Sequence, residues 1–237
     1  MSQMKRDCLS SAQSLTEFIE NEAPLLHALP LVEVEVRIGE RMITLVCAKG
    51  EDAILEQSAL FVEFPFGCLL WESAVGLARE LERQKETWAG TRVLELGAGI
   101  GLAGLVARAN GATVTQTDHL PEGLALCRFN ARKNGLESPA QFLADWRDWR
   151  SALHYDLILG ADILYERKMH PALQSVFKAA LAPGGTLLLA DPCRPQALEC
   201  LAEMERDGWN FTLKTAVVAL PETPPVEIML YEGTRKG

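Results

Sequence analysis

The chain has 237 residues, of which 48% are hydrophobic and 23% charged, as is ordinary for a globular protein with a sizeable core. Its formal net charge of −9 disfavours nucleic-acid partners, because the phosphates would be repelled, and no apolar run is long enough to cross a bilayer. The six cysteines show neither a C-x-x-C pair nor zinc spacing, so we expect a cytoplasmic protein with reduced thiols, no metal site and no membrane partner.

The first third of the chain predicts a helix, a hairpin and a second helix. Apolar residues recur at helical spacing in residues 10–20. Two β-rich runs, 31–37 and 41–46, flank a Gly-Glu pair that suits a hairpin turn. Residues 71–83 carry apolar side chains every three or four positions, as in an amphipathic helix. We interpret the part before this second helix as an extension that packs on the main fold.

From residue 92 onward strands and helices alternate. Five strands are predicted here, at 92–96, 112–117, 140–143, 155–160 and 186–190. Because parallel strands need crossover helices, the alternation predicts a doubly wound, mostly parallel α/β sheet. Two further strands, 210–219 and 226–232, have no helix between them and should form an antiparallel edge hairpin. We therefore assign residues 71–237 to a seven-stranded domain and residues 1–70 to the N-terminal helix and hairpin extension.

One predicted helix carries the densest group of basic residues in the chain. Arg128, Arg132 and Lys133 fall on its outer face. Charged residues at such spacing usually form a solvated helix face. The group therefore does not change the expectation that nucleic acid is not a partner.

The first strand of the main domain runs into a glycine-rich turn. Gly97, Gly99 and Gly101 follow the strand, and Gly104 lies three residues further on. Glycine permits positive φ and close approach of a ligand to the backbone. From Gly99 the turn reads as the dinucleotide pattern G-x-G-x-x-G; from Glu95 it reads as E-x-G-x-G-x-G, the first motif of S-adenosylmethionine-dependent methyltransferases. The glycines alone leave both interpretations open.

Acidic residues at three successive strand ends favour S-adenosylmethionine. This ligand carries an ammonium and a sulfonium group and no phosphate, so Glu95 would suit it and would repel a pyrophosphate. Asp118, after the second strand, is expected to bind ribose hydroxyls in either case. Asp145 and Trp146, after the third strand, offer an acceptor for an adenine amino group and an aromatic face for its ring.

These motifs resemble those of class I, seven-strand S-adenosylmethionine-dependent methyltransferases, which have a Rossmann-like fold. More narrowly, D-I-L-Y at residues 162–165 resembles the D-x-x-Y motif of the family-16 protein lysine methyltransferases. The segment 67–74 resembles that family's G-x-x-x-W-x-x-A pattern, in which the tryptophan, here Trp71, lies near the cofactor. The N-terminal hairpin also fits the family, and the resemblance covers roughly residues 31–232.

One segment points to a different subgroup. D-P-C-R-P at residues 191–195 is closer to the D-P-G-R segment of bacterial nicotinamide N-methylase-like proteins, with Cys193 in place of the glycine. The acceptor therefore stays open between a protein lysine side chain, which we favour, and a small amine. An NAD-dependent dehydrogenase and a non-catalytic cofactor-binding module are the remaining alternatives.

The resemblance implies a role for each candidate site residue. Asp162 would orient the acceptor amine and Tyr165 would wall the channel and contribute its hydroxyl, so both are predicted to be catalytic. The residues expected to bind S-adenosylmethionine are Trp71, Glu95, Gly97, Gly99, Gly101, Asp118, Asp145, Trp146 and Ala161.

Overall fold

The computed structural model describes residues 14–57, 61, 64–221 and 223–235, and these residues form two sheets and eight α-helices. The helices are α1 (Leu15–Glu22), α2 (Glu51–Glu56), α3 (Glu72–Arg83), α4 (Lys85–Trp88), α5 (Leu102–Ala109), α6 (Pro121–Lys133), α7 (His170–Ala180) and α8 (Pro195–Arg206). The strands are β1 (Leu31–Ile38), β2 (Arg41–Ala48), β3 (Arg92–Leu96), β4 (Thr113–Asp118), β5 (Ala140–Leu143), β6 (Tyr155–Ala161), β7 (Leu181–Asp191), β8 (Trp209–Val218) and β9 (Val226–Arg235).

The large sheet confirms the predicted fold class. Its strand order is β5-β4-β3-β6-β7-β9-β8, and the first five strands are parallel. The last two strands pair antiparallel, as expected, but β9 inserts between β7 and β8, so β8 forms the edge. After β3 the chain adds β4 and β5 on one side of that strand, and it then crosses back to place β6 on the other side. Ligands of open α/β sheets bind at such a switch point, outside the carboxyl ends of the strands.

Alternating residues of the central strands build a separate core on each face of the sheet. Leu157 and Leu159 of β6 belong to the core beneath α3, α5 and α6. Ile158 belongs to the core beneath α7 and α8. All three are fully buried, which explains why this strand is almost wholly apolar. No helix in the described part of the chain is long and apolar enough to cross a membrane.

Asn130 of α6 and Asn134, the C-cap residue of this helix, bind the free edge of the small hairpin. Asn130 accepts the Val46 N–H at 2.8 Å and donates to the Val46 carbonyl at 3.2 Å. Asn134 makes the same pair of bonds to Thr44, at 3.0 and 2.7 Å. Four helical residues rise about 6 Å and two strand residues about 6.7 Å, so the two spacings match.

Arg132 and Lys133 of α6 are exposed to solvent, as predicted, but acidic residues of the extension also pair with the basic residues of this helix. Glu22 accepts hydrogen bonds from Arg128 and Arg132, both at 3.0 Å, and Glu33 accepts one from Lys133 at 2.7 Å. The sequence did not reveal these ion pairs because the acidic partners lie about a hundred residues away. The boundary between residues 70 and 71 stays a prediction.

Several element boundaries differ from those expected. Helix α1 extends to Glu22, with Ser14 as its N-cap, and residues 10–13 lie outside the described part of the chain. Helix α7 ends at Ala180 and β7 already begins at Leu181, which pairs with Tyr155, so this strand starts five residues before the predicted 186–190. The short helices α2 and α4 were not predicted, since six and four residues are too few to show a period.

Candidate active site

A cavity of about 1050 Å³ opens at the carboxyl ends of β3, β4 and β6. Ten of the eleven predicted site residues line it: Trp71, Glu95, Gly97, Gly99, Asp118, Asp145, Trp146, Ala161, Asp162 and Tyr165. Gly101 does not line it. A Cβ at Gly101 would lie 2.8 Å from Cys127 Sγ and 2.9 Å from Gln116 Nε2, so packing accounts for this glycine.

The glycine-rich turn has the left-handed backbone that its glycines predict. Gly97, Gly99 and Gly101 have φ values of 60°, 54° and 85°. At Gly99 a side chain is also excluded by space, since a Cβ would lie 2.7 Å from the Gly67 carbonyl oxygen. The segment before α3 therefore lies directly over the turn and helps to enclose the cavity.

Glu95 caps the helix that follows the turn. Gly101 occupies the N-cap position of α5 and has no side chain to bind the free amides. The Glu95 carboxylate takes this role: Oε1 accepts the Gly104 N–H at 3.0 Å and Oε2 accepts a hydrogen bond from Gln116 Nε2 at 2.7 Å. A Cβ at Gly104 would lie 2.3 Å from Oε2, which explains the fourth glycine. The Glu95 carboxylate thus occupies the N-terminus of α5, which in a dinucleotide site would bind the pyrophosphate.

Burial sets the protonation of Glu95. The residue is 4% exposed. Burial raises the pKa of its carboxyl to about 7, and hydrogen bonds from Gln116 and Gly104 oppose the rise. Its proposed contact with an amine of the ligand stays a prediction.

Asp118 and Asp145 stand at neighbouring strand ends but differ in environment. Asp118 is buried and accepts backbone N–H groups from Gly99 at 2.9 Å and Leu120 at 3.0 Å. It thereby joins the end of β4 to the glycine-rich turn. Asp145 is more exposed, and hydrogen bonds from Arg147 lower the pKa of its carboxyl to about 2. Contacts within the protein therefore fix the position of both carboxylates.

Two tryptophans supply the aromatic part of the cavity wall. Trp146 lies against the turn, with Cζ2 3.5 Å from the place of a Cβ on Gly97. Its Nε1 is buried without a hydrogen-bond partner in the described part of the chain. Trp71 immediately precedes α3 and is not within it, and its Nε1 donates to the Phe66 carbonyl at 3.0 Å.

The D-x-x-Y loop begins where β6 ends. Asp162 has a φ of 57°, and its N–H donates to the Ala190 carbonyl at 2.8 Å. Its carboxylate accepts hydrogen bonds from both terminal nitrogens of Arg194. Burial raises the pKa of the Asp162 carboxyl, and the bonds from Arg194 oppose the rise. Tyr165 lies at the cavity mouth, where its side chain is 54% exposed.

Arg194 is the residue that the sequence interpretation missed. The D-P-C-R-P segment was noticed only as a family difference, and Arg194 was not among the expected site residues. It lines the cavity beside Asp162, although Asp162 precedes it by 32 positions in the sequence. A charged residue soon after a predicted strand end was the available signal, but its partner could not be inferred from sequence spacing.

The charge of the cavity suits a cationic ligand. Seven carboxylate residues and three arginine or lysine residues line it among the residues that the structure describes. The carboxylates are Glu51, Glu95, Asp118, Glu122, Asp145, Asp162 and Glu166. Such an excess raises the local concentration of ammonium and sulfonium groups. The residues present therefore fit S-adenosylmethionine better than a pyrophosphate.

Comparison with known proteins identifies the family. The family model described as lysine methyltransferase matches residues 54–204, which is more than half of the chain. The chain belongs to this lysine methyltransferase family. It is accordingly an S-adenosylmethionine-dependent methyltransferase, as the sequence motifs predicted, and its cofactor is S-adenosylmethionine. The dehydrogenase and non-catalytic alternatives are thereby excluded.

Individual relatives of this lysine methyltransferase family member are named as protein methyltransferases that act on lysine or on arginine. The protein N-lysine methyltransferase METTL21A of Danio rerio is 32% identical, and the match covers 82% of each chain. The histone-arginine methyltransferase METTL23 of Xenopus laevis is also 32% identical, over 57% of this chain and 62% of its own. That match spans less than two thirds of the relative.

A solved structure shows the same fold. The T. thermophilus 16S rRNA methyltransferase RsmC, in complex with AdoMet and guanosine, aligns with a TM-score of 0.61 and 19% identity. The match covers 87% of this chain and 51% of RsmC. At this identity the likeness concerns the fold alone.

Proposed function

We propose that this methyltransferase transfers the methyl group of S-adenosylmethionine to the side-chain amine of a lysine in a protein. The observation that carries the proposal is the Asp162 carboxylate, which is 9% exposed and faces the cavity at the end of a central strand. An acceptor amine needs a hydrogen-bond acceptor at this depth. The family description and the lysine-specific relative support the same substrate class.

Asp162 and its surroundings fit the needs of an amine nucleophile. When bound, S-adenosylmethionine supplies an electrophilic methyl group on a sulfonium. Lysine has an ordinary pKa of about 10.4, so it must lose a proton before it can attack. Desolvation in the cavity favours the neutral amine, and Asp162 accepts an N–H that orients the nitrogen lone pair. Tyr165 walls the channel mouth and is the second proposed catalytic residue.

The remaining site residues are proposed to hold the cofactor. Glu95 and Asp118 face its amine-bearing part and its ribose, while Asp145 and Trp146 receive the adenine. Trp71, Ala161, Gly97 and Gly99 close the wall around it. Their common position on one cavity supports this assignment. A cytoplasmic protein acceptor, rather than a nucleic acid, is consistent with the net charge of −9.

A tritium-transfer assay tests the acceptor class. Purified protein is incubated with methyl-labelled S-adenosylmethionine and a cell lysate, which is then separated into protein, RNA and small-molecule fractions. We expect label in protein, recovered after hydrolysis as methyllysine. Label in methylarginine would favour the activity of the METTL23 relative, and label only in small amines would favour the nicotinamide-like alternative; either would contradict the lysine proposal.

Asp162→Asn tests the central residue. Asparagine tolerates the left-handed backbone at this position but carries no charge. We expect methyl transfer to fall by about 100-fold or more, while calorimetry finds unchanged binding of S-adenosylmethionine. Asp156→Asn is the matched control, because Asp156 pairs with Arg92 at the opposite end of the same strand. Full activity of Asp162→Asn would overturn the assigned role.

A further inference from the structure

Arg194 ties the D-x-x-Y loop to the segment that follows β7. Its Nη2 donates to Asp162 Oδ2 at 3.2 Å, and its Nη1 donates to Oδ1 of the same carboxylate. Its backbone N–H donates to Asp191 Oδ1 at 2.7 Å, and Nη1 also reaches Asp191 Oδ2 at 3.3 Å. The guanidinium therefore bridges two carboxylates that come from the ends of neighbouring strands.

Asp162 and the residue immediately before Arg194 both have an unfavourable backbone conformation. Asp162 and Cys193 are the two non-glycine residues with positive φ in the described part of the chain, at 57° and 63°. Such conformations persist where the surrounding contacts enforce them, and they cluster at functional sites. Gln196 Nε2 adds a second link, since it donates to the Tyr165 carbonyl at 3.2 Å. The segment after β7 thus holds the first and the last residue of the motif.

We propose that Arg194 is a positioning residue for methyl transfer, which fixes the Asp162 carboxylate in the orientation that receives the acceptor amine. This inference rests on the proposed function. Two carboxylate oxygens offer about four lone-pair sites, and Arg194 occupies one on each oxygen. A lone pair on each oxygen therefore stays free for the amine. The fork geometry of a guanidinium fixes the plane of the carboxylate, which a single ammonium would not.

The charges around Asp162 give Arg194 a second effect. Asp191 is 1% exposed, and Glu72 of α3 adds a further negative charge near Asp162. Two buried carboxylates beside one guanidinium leave one net negative charge, which would attract the acceptor while it is still a lysine ammonium. Without Arg194 the two carboxylates would repel each other, and one of them would take up a proton. A protonated Asp162 would accept hydrogen bonds from an amine less well.

A double-mutant cycle tests whether Arg194 acts through Asp162. Arg194→Ala, Asp162→Asn and the double variant are assayed for tritium transfer into the lysate fraction that the wild type labels, with S-adenosylmethionine as the varied substrate. We expect Arg194→Ala to lower kcat by at least tenfold at an unchanged KM for S-adenosylmethionine. The double variant should be no slower than Asp162→Asn alone, since the partner of Arg194 is already altered.

Two further variants separate positioning from folding. Arg194→Lys keeps the cation without the fork, so its kcat should lie between those of the wild type and Arg194→Ala. Arg92→Ala removes an exposed arginine from the Arg92–Asp156 pair at the other end of β6 and should keep wild-type kcat. Melting temperature and calorimetric binding of S-adenosylmethionine show that each variant is folded.

The outcomes distinguish this inference from the proposed function. Wild-type kcat in Arg194→Ala, or losses that multiply in the double variant, would overturn the positioning role. Transfer to small amines instead of protein would overturn the lysine acceptor, yet the same cycle on that fraction would still test Arg194. No transfer to any fraction would contradict both.

Discussion

The Glu95 carboxyl makes the unfolding free energy of the protein depend on pH. Its folded pKa of about 7 lies above its ordinary value of 4.5. Below pH 4.5 the carboxyl is protonated in both the folded and the unfolded state, and its contribution to the unfolding free energy is fully present. As the pH rises toward 7, only the unfolded chain releases the proton, so the folded state loses stability relative to it.

Glu95→Gln tests this relation. The wild type should lose on the order of 3 kcal/mol of unfolding free energy between pH 4.5 and 7 through this group, and the variant should not. Urea unfolding of both proteins across this interval measures the difference. Glu86→Gln, an exposed change on α4, is the control. A constant difference between wild type and Glu95→Gln would show that Glu95 does not titrate as inferred.

Cys193 shows how one residue can mark a backbone conformation. The related bacterial segment has glycine at this place, and the φ of 63° at Cys193 lies in the region where glycine has no Cβ penalty. The glycine of that pattern is therefore explained by backbone geometry. Cys193 keeps this geometry because Arg194 and Asp191 hold the turn on either side.

Among the elements, α6 joins the extension to the main domain through side-chain contacts with the backbone of β2. Asn130 and the C-cap residue Asn134 form hydrogen bonds with the backbone of β2. Asn130 also donates to the Ile100 carbonyl at 3.0 Å, next to the glycine-rich turn. One helix thus connects the hairpin with the cavity. The core beneath it also contains residues of both parts, including Phe18, Leu45 and Leu105.

Asn130→Ala tests this connection. The substitution leaves the Val46 N–H and two carbonyls without partners in a buried place, so we expect a loss of about 3 kcal/mol in unfolding free energy. Chemical denaturation of the whole chain measures it. Asn210→Ala, at an exposed position of β8, should cost less than about 0.5 kcal/mol. Equal losses in both variants would contradict the role of Asn130.

For the whole molecule, the acidic cavity and the net charge of −9 predict electrostatic attraction of a basic acceptor. Raising ionic strength from about 0.1 M to about 1 M shortens the screening length from roughly 10 to 3 Å. We expect the initial rate of protein labelling at low acceptor concentration to fall several-fold. Glu51→Lys at the cavity rim should lower the rate at low salt only, whereas Glu86→Lys, outside the cavity, should not. A rate independent of salt would contradict this attraction.

The sequence by itself predicted the fold class and the place of the site, and it favoured S-adenosylmethionine over a dinucleotide without excluding the latter. Alternation of strands and helices, the glycines from Gly97 to Gly101 and the acids at strand ends are local patterns, and each follows from neighbours within a few residues. The D-x-x-Y motif is also local, and its resemblance to a known family predicted the family. Ten of eleven predicted residues meet at one cavity because parallel strands all end at the same edge of the sheet.

Only the tertiary structure decided which partners these residues have. Glu95 caps α5, Arg194 binds Asp162, and Glu22 neutralises the basic face of α6. Each of these contacts joins residues that lie between 9 and 106 positions apart in the chain. Local periodicity carries no information on such pairs, because they depend on strand order and on which faces the folded elements turn toward each other.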